Sequence, residues 1–254
     1  STTDIELIKF LYSGLVTPRM SAMDIDSLLD NLTPLKALTS KNGLVYRKNF
    51  SDLPFTGEAV QHFQSGRVDD QQNYFNGKLH GIQRKFYANG QLKSSQNYLA
   101  GVRDGRIQSF FESGQLKVSQ VYAKGSADRV HESYYESGQL KTSVSYRGGK
   151  KEGDSKSYFD SGQLKNVQTY SKGSRDGVFK IYHESGQLIS ESNYIEGARQ
   201  GAVVNYYAEG GISGRWEYKN GVKHGSMETY NKDGVLKKLA IYFLSLTLCI
   251  NDYC

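Results

Sequence analysis

The sequence predicts a mainly β protein, an elongated single-layer array of antiparallel β-hairpins with a short helical N-terminal cap. Three observations lead there. Glycine recurs at Gly66, Gly90, Gly114, Gly138, Gly162, Gly186, Gly210 and Gly234, each step being 24 residues. Tyrosine keeps the same step from Tyr74 through Tyr98, Tyr122, Tyr146, Tyr170, Tyr194 and Tyr218 to Tyr242. Only 37% of the 254 residues are hydrophobic, while Tyr (19) and Gly (27) are abundant and Pro (3) is scarce, which suits half-exposed sheet with many tight turns rather than one thick core.

A fixed period of this length is the mark of a repeat architecture. Residues 1–41 precede the array and hold two stretches of helical spacing, 4–12 with Ile5, Ile8 and Tyr12, and 22–32 with Met23, Ile25, Leu28 and Leu29. Ser21 stands as an N-cap for the second. Residues 42–242 form the array of about eight units, and 243–254 a C-terminal cap strand and tail. The apolar run Leu239 to Ile250 reads as a final strand buried on both faces. Atypical ends are expected because an open sheet edge invites association.

Within one unit, Gly90 to Leu99 reads as a strand with Leu92 and Tyr98 on one face. Gly101 to Gly105 reads as a turn, Arg106 to Glu112 as the returning strand, and Glu112-Ser113-Gly114-Gln115 as the turn into the next unit. Two strands per 24 residues joined by short turns pair as an antiparallel meander. At about 4.8 Å per strand, eight units make a ribbon of roughly 75 Å. A further glycine series runs Gly57, Gly81, Gly105, Gly153, Gly177, Gly201 and Gly225, and misses one beat at Arg129.

The formal net charge is +6, from 32 basic and 26 acidic residues. Residues 1–41 carry four basic and five acidic side chains, so the remainder carries +7. That balance permits an acidic partner, an anionic membrane surface or nucleic acid. No apolar run reaches the roughly 20 residues of a membrane-spanning helix. Cys249 and Cys254 are the only cysteines, which allows two free thiols or one local disulfide and no four-ligand zinc site.

No catalytic constellation emerges. The five histidines, His62, His80, His131, His183 and His224, are scattered along the array. There is no nucleophile elbow, no His-Glu-x-x-His helix, and Gly148-Gly149-Lys150-Lys151 lacks the spacing and hydroxyl of a phosphate loop. The expectation is a non-enzymatic chain with no metal and no cofactor. The charges Glu112 and Lys117, Glu136 and Lys141, and Asp160 and Lys165 flank successive turns and are expected to pair across neighbouring strands.

Aromatic residues precede most turns in pairs, and strand alternation sends the two members to opposite faces. Phe86, Phe110, Tyr134, Tyr158, Tyr182 and Tyr206 line one face. Phe63, Tyr87, Phe111, Tyr135, Phe159, His183 and Tyr207 line the other. One row is expected to pack between repeats. The second, Phe63 to Tyr207, is the candidate partner surface, since aromatic side chains with few rotamers suit interface hot spots.

The unit Tyr-x-x-Gly-x-x-x-Gly, followed by an aromatic pair and Gly-Gln-Leu-Lys, resembles the bacterial variant of the MORN repeat. Gly101-Val102-Arg103-Asp104-Gly105 and Gly173-Ser174-Arg175-Asp176-Gly177 match its turn, and Gly43-Leu44-Val45-Tyr46 with Pro54-Phe55-Thr56-Gly57 resembles the opening of such arrays. The resemblance covers residues 43–242 and departs at Arg129, His183 and Gly210-Gly211-Ile212. It implies a protein-binding module, of the kind found among bacterial immunity and antitoxin proteins that neutralise a toxin or effector. Other members are membrane-associated or scaffolding proteins, so anionic lipid is the alternative partner and nucleic acid a weaker one. A periplasmic or cell-envelope location is expected ahead of a cytoplasmic one.

Overall fold

The computed structural model describes residues 33–48, 53–243 and 246–249. Among these residues, strands from Thr33–Pro34 to Leu246–Cys249 join in one sheet, and Leu38–Lys41 and Leu44–Arg47 form a separate hairpin. From Gly57 onward successive hairpin strands pair antiparallel, the short strands Lys78–Leu79 and Ala198–Arg199 pairing only with the strand before them. Seven apolar residues of the described chain are buried, and no large side chain is fully enclosed. The protein is therefore a single-layer meander, held by neighbour contacts rather than by a central core.

Two kinds of turn alternate. On one long edge, Leu99 pairs with Val102 and Ala123 with Ser126, which leaves two residues at each tip. Ala100 and Gly101 have φ of 52° and 86°, and Lys124 and Gly125 of 49° and 82°. Positive φ at both positions is the type I′ turn, whose twist matches that of the strands it joins. On the opposite edge the turns are longer: the Gly114 N–H donates to the Phe111 carbonyl at 2.9 Å, and the Phe111 N–H to the Gln115 carbonyl at 2.8 Å.

The segment Gly101 to Gly105, expected as one turn, is two features. The strand resumes at Val102, and Gly105 lies inside Val102–Phe110 at φ 97°. There Asp104, Gly105 and Arg106 together oppose Asn97 alone, a bulge that bends the hairpin tip. A Cβ on Gly105 would stand 2.8 Å from Asn97 Nδ2. The bend lays each tip on the one before it: the Gly101 N–H donates to the Leu79 carbonyl at 2.7 Å, Gly125 to Arg103 at 2.8 Å and Gly149 to Ala127 at 2.7 Å. At Arg129, where the glycine series misses its beat, the backbone still adopts φ 60°. The repeat geometry overrides the residue's preference.

A second bulge follows each longer turn. Leu92 pairs with Phe86 and Ser94 with Lys85, so Lys93 is the extra residue. This moves Leu92 to the Phe86 face, opposite Tyr98, and corrects the expectation that Leu92 and Tyr98 share a face.

The ends differ from the units between them. Phe55, Ala59 and Val60 are buried at the N-terminal end, where Thr33–Pro34 pairs in parallel with Ala59 and Val60. The hairpin over Leu44 and Val45 leans on the first tip, its Val45 N–H donating to the Gly77 carbonyl at 2.9 Å. The helical segments expected over 4–12 and 22–32 lie outside the described residues. Leu35–Ala37 is a short 3-10 turn and Leu38–Lys41 a strand. At the other end, two strands, Leu236–Phe243 and Leu246–Cys249, pair antiparallel where one was expected across Leu239 to Ile250. Cys254 lies outside the described residues.

The bulge makes a stability prediction. Arg129→Gly relieves a left-handed backbone and raises the urea midpoint, corresponding to about 0.5–1 kcal/mol, whereas Gly105→Ala lowers it by about 1–3 kcal/mol. A lowered midpoint for Arg129→Gly together with a raised one for Gly105→Ala would show that the bulge is not strained by a side chain.

Candidate binding edges

The expected partner row lies along the edge of longer turns. Phe63, Tyr87, Phe111, Tyr135, Phe159 and Tyr207 are half-buried and His183 is exposed. Their environment is repetitive. The Tyr87 hydroxyl donates to the Phe110 carbonyl of the next unit at 2.9 Å, Tyr135 to Tyr158 at 2.9 Å, and Tyr207 to Tyr230 at 2.6 Å. The lysine of each bulge lies over the ring of its own unit: Lys93 over Tyr87 at 5.4 Å, Lys117 over Phe111 at 5.2 Å, Lys141 over Tyr135 at 5.1 Å and Lys165 over Phe159 at 5.2 Å. A hollow of about 320 Å³ between two such rings, Phe111 and Tyr135, is open on this edge.

These lysines were expected to pair with Glu112, Glu136 and Asp160. Among the described residues no such ion pair forms; the pairs present include Lys180 with Glu191 at 3.4 Å and Lys232 with Glu209 at 2.7 Å. The bulge explains the difference, because the extra residue sits outside the register that would have faced Lys and Glu across the ladder. Asp160 instead accepts from the Ser137 hydroxyl one unit back.

The opposite edge holds a ladder that the sequence pattern did not reveal. The tyrosines of the 24-residue series alternate with basic side chains from the strand after each tip. Arg103 lies over Tyr122 at 5.6 Å, Lys151 over Tyr170 at 4.8 Å, Arg199 over Tyr218 at 5.5 Å and Lys223 over Tyr242 at 5.4 Å. Cation over ring is a favourable electrostatic contact. Where Ala127 replaces the basic residue, His131 fills the gap, 5.3 Å from Tyr122 and 4.5 Å from Tyr146 by ring centroid. The acidic residue of the Arg-Asp-Gly triplet ties successive tips together, since Asp104 accepts the Lys124 N–H at 3.2 Å and Glu152 accepts the Lys172 N–H at 2.7 Å. The signal was present in the recurring Arg/Lys-Asp/Glu-Gly, but glycine's turn role masked it.

Tyr194 is the most enclosed member of the ladder. Its hydroxyl accepts from Arg199 Nε at 2.9 Å and Arg175 Nη1 at 3.3 Å. Burial alone would raise its pKa, yet the hydrogen bonds and charges of Arg199 and Arg175 prevail and lower it below the usual 10.0. On the opposite face, burial together with the Glu132 carboxylate pushes Tyr134 up to about 12.

Among the described residues no group of three or more His, Cys, Asp and Glu could hold a metal ion, and no helix is long and apolar enough to cross a membrane. The geometry is that of aromatic and basic side chains repeated at equivalent positions along both edges of the sheet. The repeats match the MORN repeat variant. The matched residues are 79–100, 103–124, 130–147, 151–172 and 175–196, and the hairpin meander continues beyond them on both sides, from Gly57–His62 to Leu236–Phe243. MORN repeats are scaffolding and protein-interaction modules, in keeping with a non-enzymatic chain. No curated protein matches the chain. Among solved structures, ASR alternansucrase in complex with isomaltononaose is 16% identical with a TM-score of 0.21. The match covers 80% of this chain and 17% of that one, so the chain spans about a sixth of that protein's length.

Two tyrosines should titrate apart. In an alkaline titration followed by phenolate absorbance, the difference between the unaltered chain and Tyr194→Phe has a midpoint below 10, and the Tyr134→Phe difference lies near 12. For Tyr134 the raised folded value means its contribution to stability is present below the unfolded pKa of about 10 and is lost as pH rises toward 12. For Tyr194 the sign reverses: the phenolate's contribution is fully present above the unfolded pKa of about 10 and is lost as pH falls through the lowered folded value. Coincident midpoints for the two differences would contradict both environments.

Proposed function

We propose that the chain is a non-enzymatic protein-binding module which holds and neutralises a cognate toxin or effector, as an immunity or antitoxin protein acting in a bacterial periplasm or cell envelope. The observation that carries the reading is the arrangement of repeated aromatic and basic side chains along two long edges of one sheet, with no convergent acids, bases or nucleophiles between them among the described residues. Such a ribbon gives many weak, evenly spaced contacts to a large partner surface and nothing to transform a small molecule. Neutralisation then follows from covering the partner's active site or its route to its target. The toxin class of partner is supported by the resemblance of the opening motif and the Gly-Gln-Leu-Lys turns.

The test is co-purification of the tagged chain, at near-physiological salt, from a host carrying its own gene neighbourhood. A stoichiometric protein whose toxicity the chain suppresses is the expected result; a series of such experiments with no specific protein recovered removes the reading. A second reading, peripheral attachment to an anionic membrane surface, has the +6 charge in its favour. It requires salt-sensitive sedimentation with phosphatidylserine vesicles, and fails if no binding appears at low salt.

A further inference from the structure

We infer that the row of two-residue tips is the docking surface, and that it receives a protein partner whose surface is acidic at the centre and apolar on either side. This rests on the protein-binding reading above and moves the contact away from the Phe63 to Tyr207 row.

The first observation is where the charge lies. The seven-residue segments that begin at Tyr74 and recur every 24 residues to Tyr218 make up the tips; together they hold eleven basic and five acidic residues. The corresponding segments of the longer turns, from Phe63 to Asn231, hold seven of each. The chain's whole excess of +6 is thus matched by one edge. Part of that edge's acid is engaged, since Asp104 and Glu152 accept backbone N–H groups of the following tip.

The second observation is the order along the edge. Exposed Lys124, Arg147, Lys150 and Lys172 occupy its middle. On one side Phe75 and Leu99 are 53% and 54% exposed, and on the other Ile195 and Val222 are 52% and 55% exposed. A lipid surface takes up both apolar and basic side chains but is uniform along such a line and does not select their order. A folded partner can match that order, and charge complementarity would set its register. Nucleic acid fits less well: the tyrosine rings of this edge already carry Arg or Lys over them, so few faces are free to stack bases.

The longer-turn row differs in its charge, which is balanced, and in its tyrosine hydroxyls, which are spent on the next unit's carbonyls.

The experiment compares two charge-reversed forms of the full chain, Lys150→Glu with Lys172→Glu on the tips and Lys117→Glu with Lys141→Glu on the longer turns. Poly-L-glutamate is the first probe and phosphatidylserine vesicles the second, both at low salt, after circular dichroism has shown that each variant keeps its sheet. The tip variant is expected to weaken poly-L-glutamate binding by about tenfold or more and the turn variant by about twofold or less. Equal weakening by both would mean that net charge alone is read, and would overturn the assignment. So would tip-dependent binding to the vesicles with none to poly-L-glutamate, which points to a membrane. In the co-purification assay, a partner kept by the tip variant but lost from Phe111→Ser with Tyr135→Ser would leave the protein-binding reading standing and remove the tips from it. A partner lost from the tip variant and kept by the other supports the assignment.

Discussion

The hydrogen bond from each tip glycine to the strand one unit back is the contact on which the array depends. A flat meander would couple neighbouring strands through ladder bonds alone and would leave its hairpin tips free. Here the bulge at Gly105 and its equivalents bends the tip until the Gly125 N–H reaches the Arg103 carbonyl. The same bend brings the basic side chain of one unit over the tyrosine of the next. One backbone device therefore ties each unit to its neighbour and sets the side-chain ladder along that edge. With so few buried apolar residues, stability must come from this nearest-neighbour term.

The two edges use aromatic residues differently, and the difference follows from the turn. Beside a two-residue tip the tyrosine stands one residue back from the end of the strand and takes its cation from the preceding unit. A longer turn carries the aromatic residue at its base, where the second bulge swings a lysine from the same unit across it. The central row of the sheet face between them mixes buried polar residues, Gln83, His131, Gln168 and Ser192, with buried Ile107, Val203 and Ala240.

Much of the fold was legible because period and turn chemistry are written in single residues. The 24-residue glycine and tyrosine series located the hairpins between Gly57 and Phe243, and alternation separated the members of each aromatic pair. Bulges were not legible. A glycine needing positive φ looks the same in a turn as in the middle of a strand, so Gly105 was assigned to the tip and Leu92 to the wrong face. Lys117 and Glu112 looked like partners for the same reason, since their pairing assumed an unbroken register. The tip ladder was hidden because Arg103 and Asp104 were read as part of a turn motif. Their contacts lie 19 and 20 residues away, at Tyr122 and Lys124, and only the bent tip brings those residues near.

The most direct measurement is native-state hydrogen exchange resolved at the tip amides. If tip stacking holds the units together, the amides of Gly101, Gly125, Gly149 and Gly173 exchange slowly, at rates approaching those of the neighbouring strands, while the amides of Glu112 and Glu136 in the longer turns exchange quickly. Tip glycines exchanging as fast as Glu112 and Glu136, beneath a protected ladder, would show that the units are joined by the sheet alone and would contradict the account.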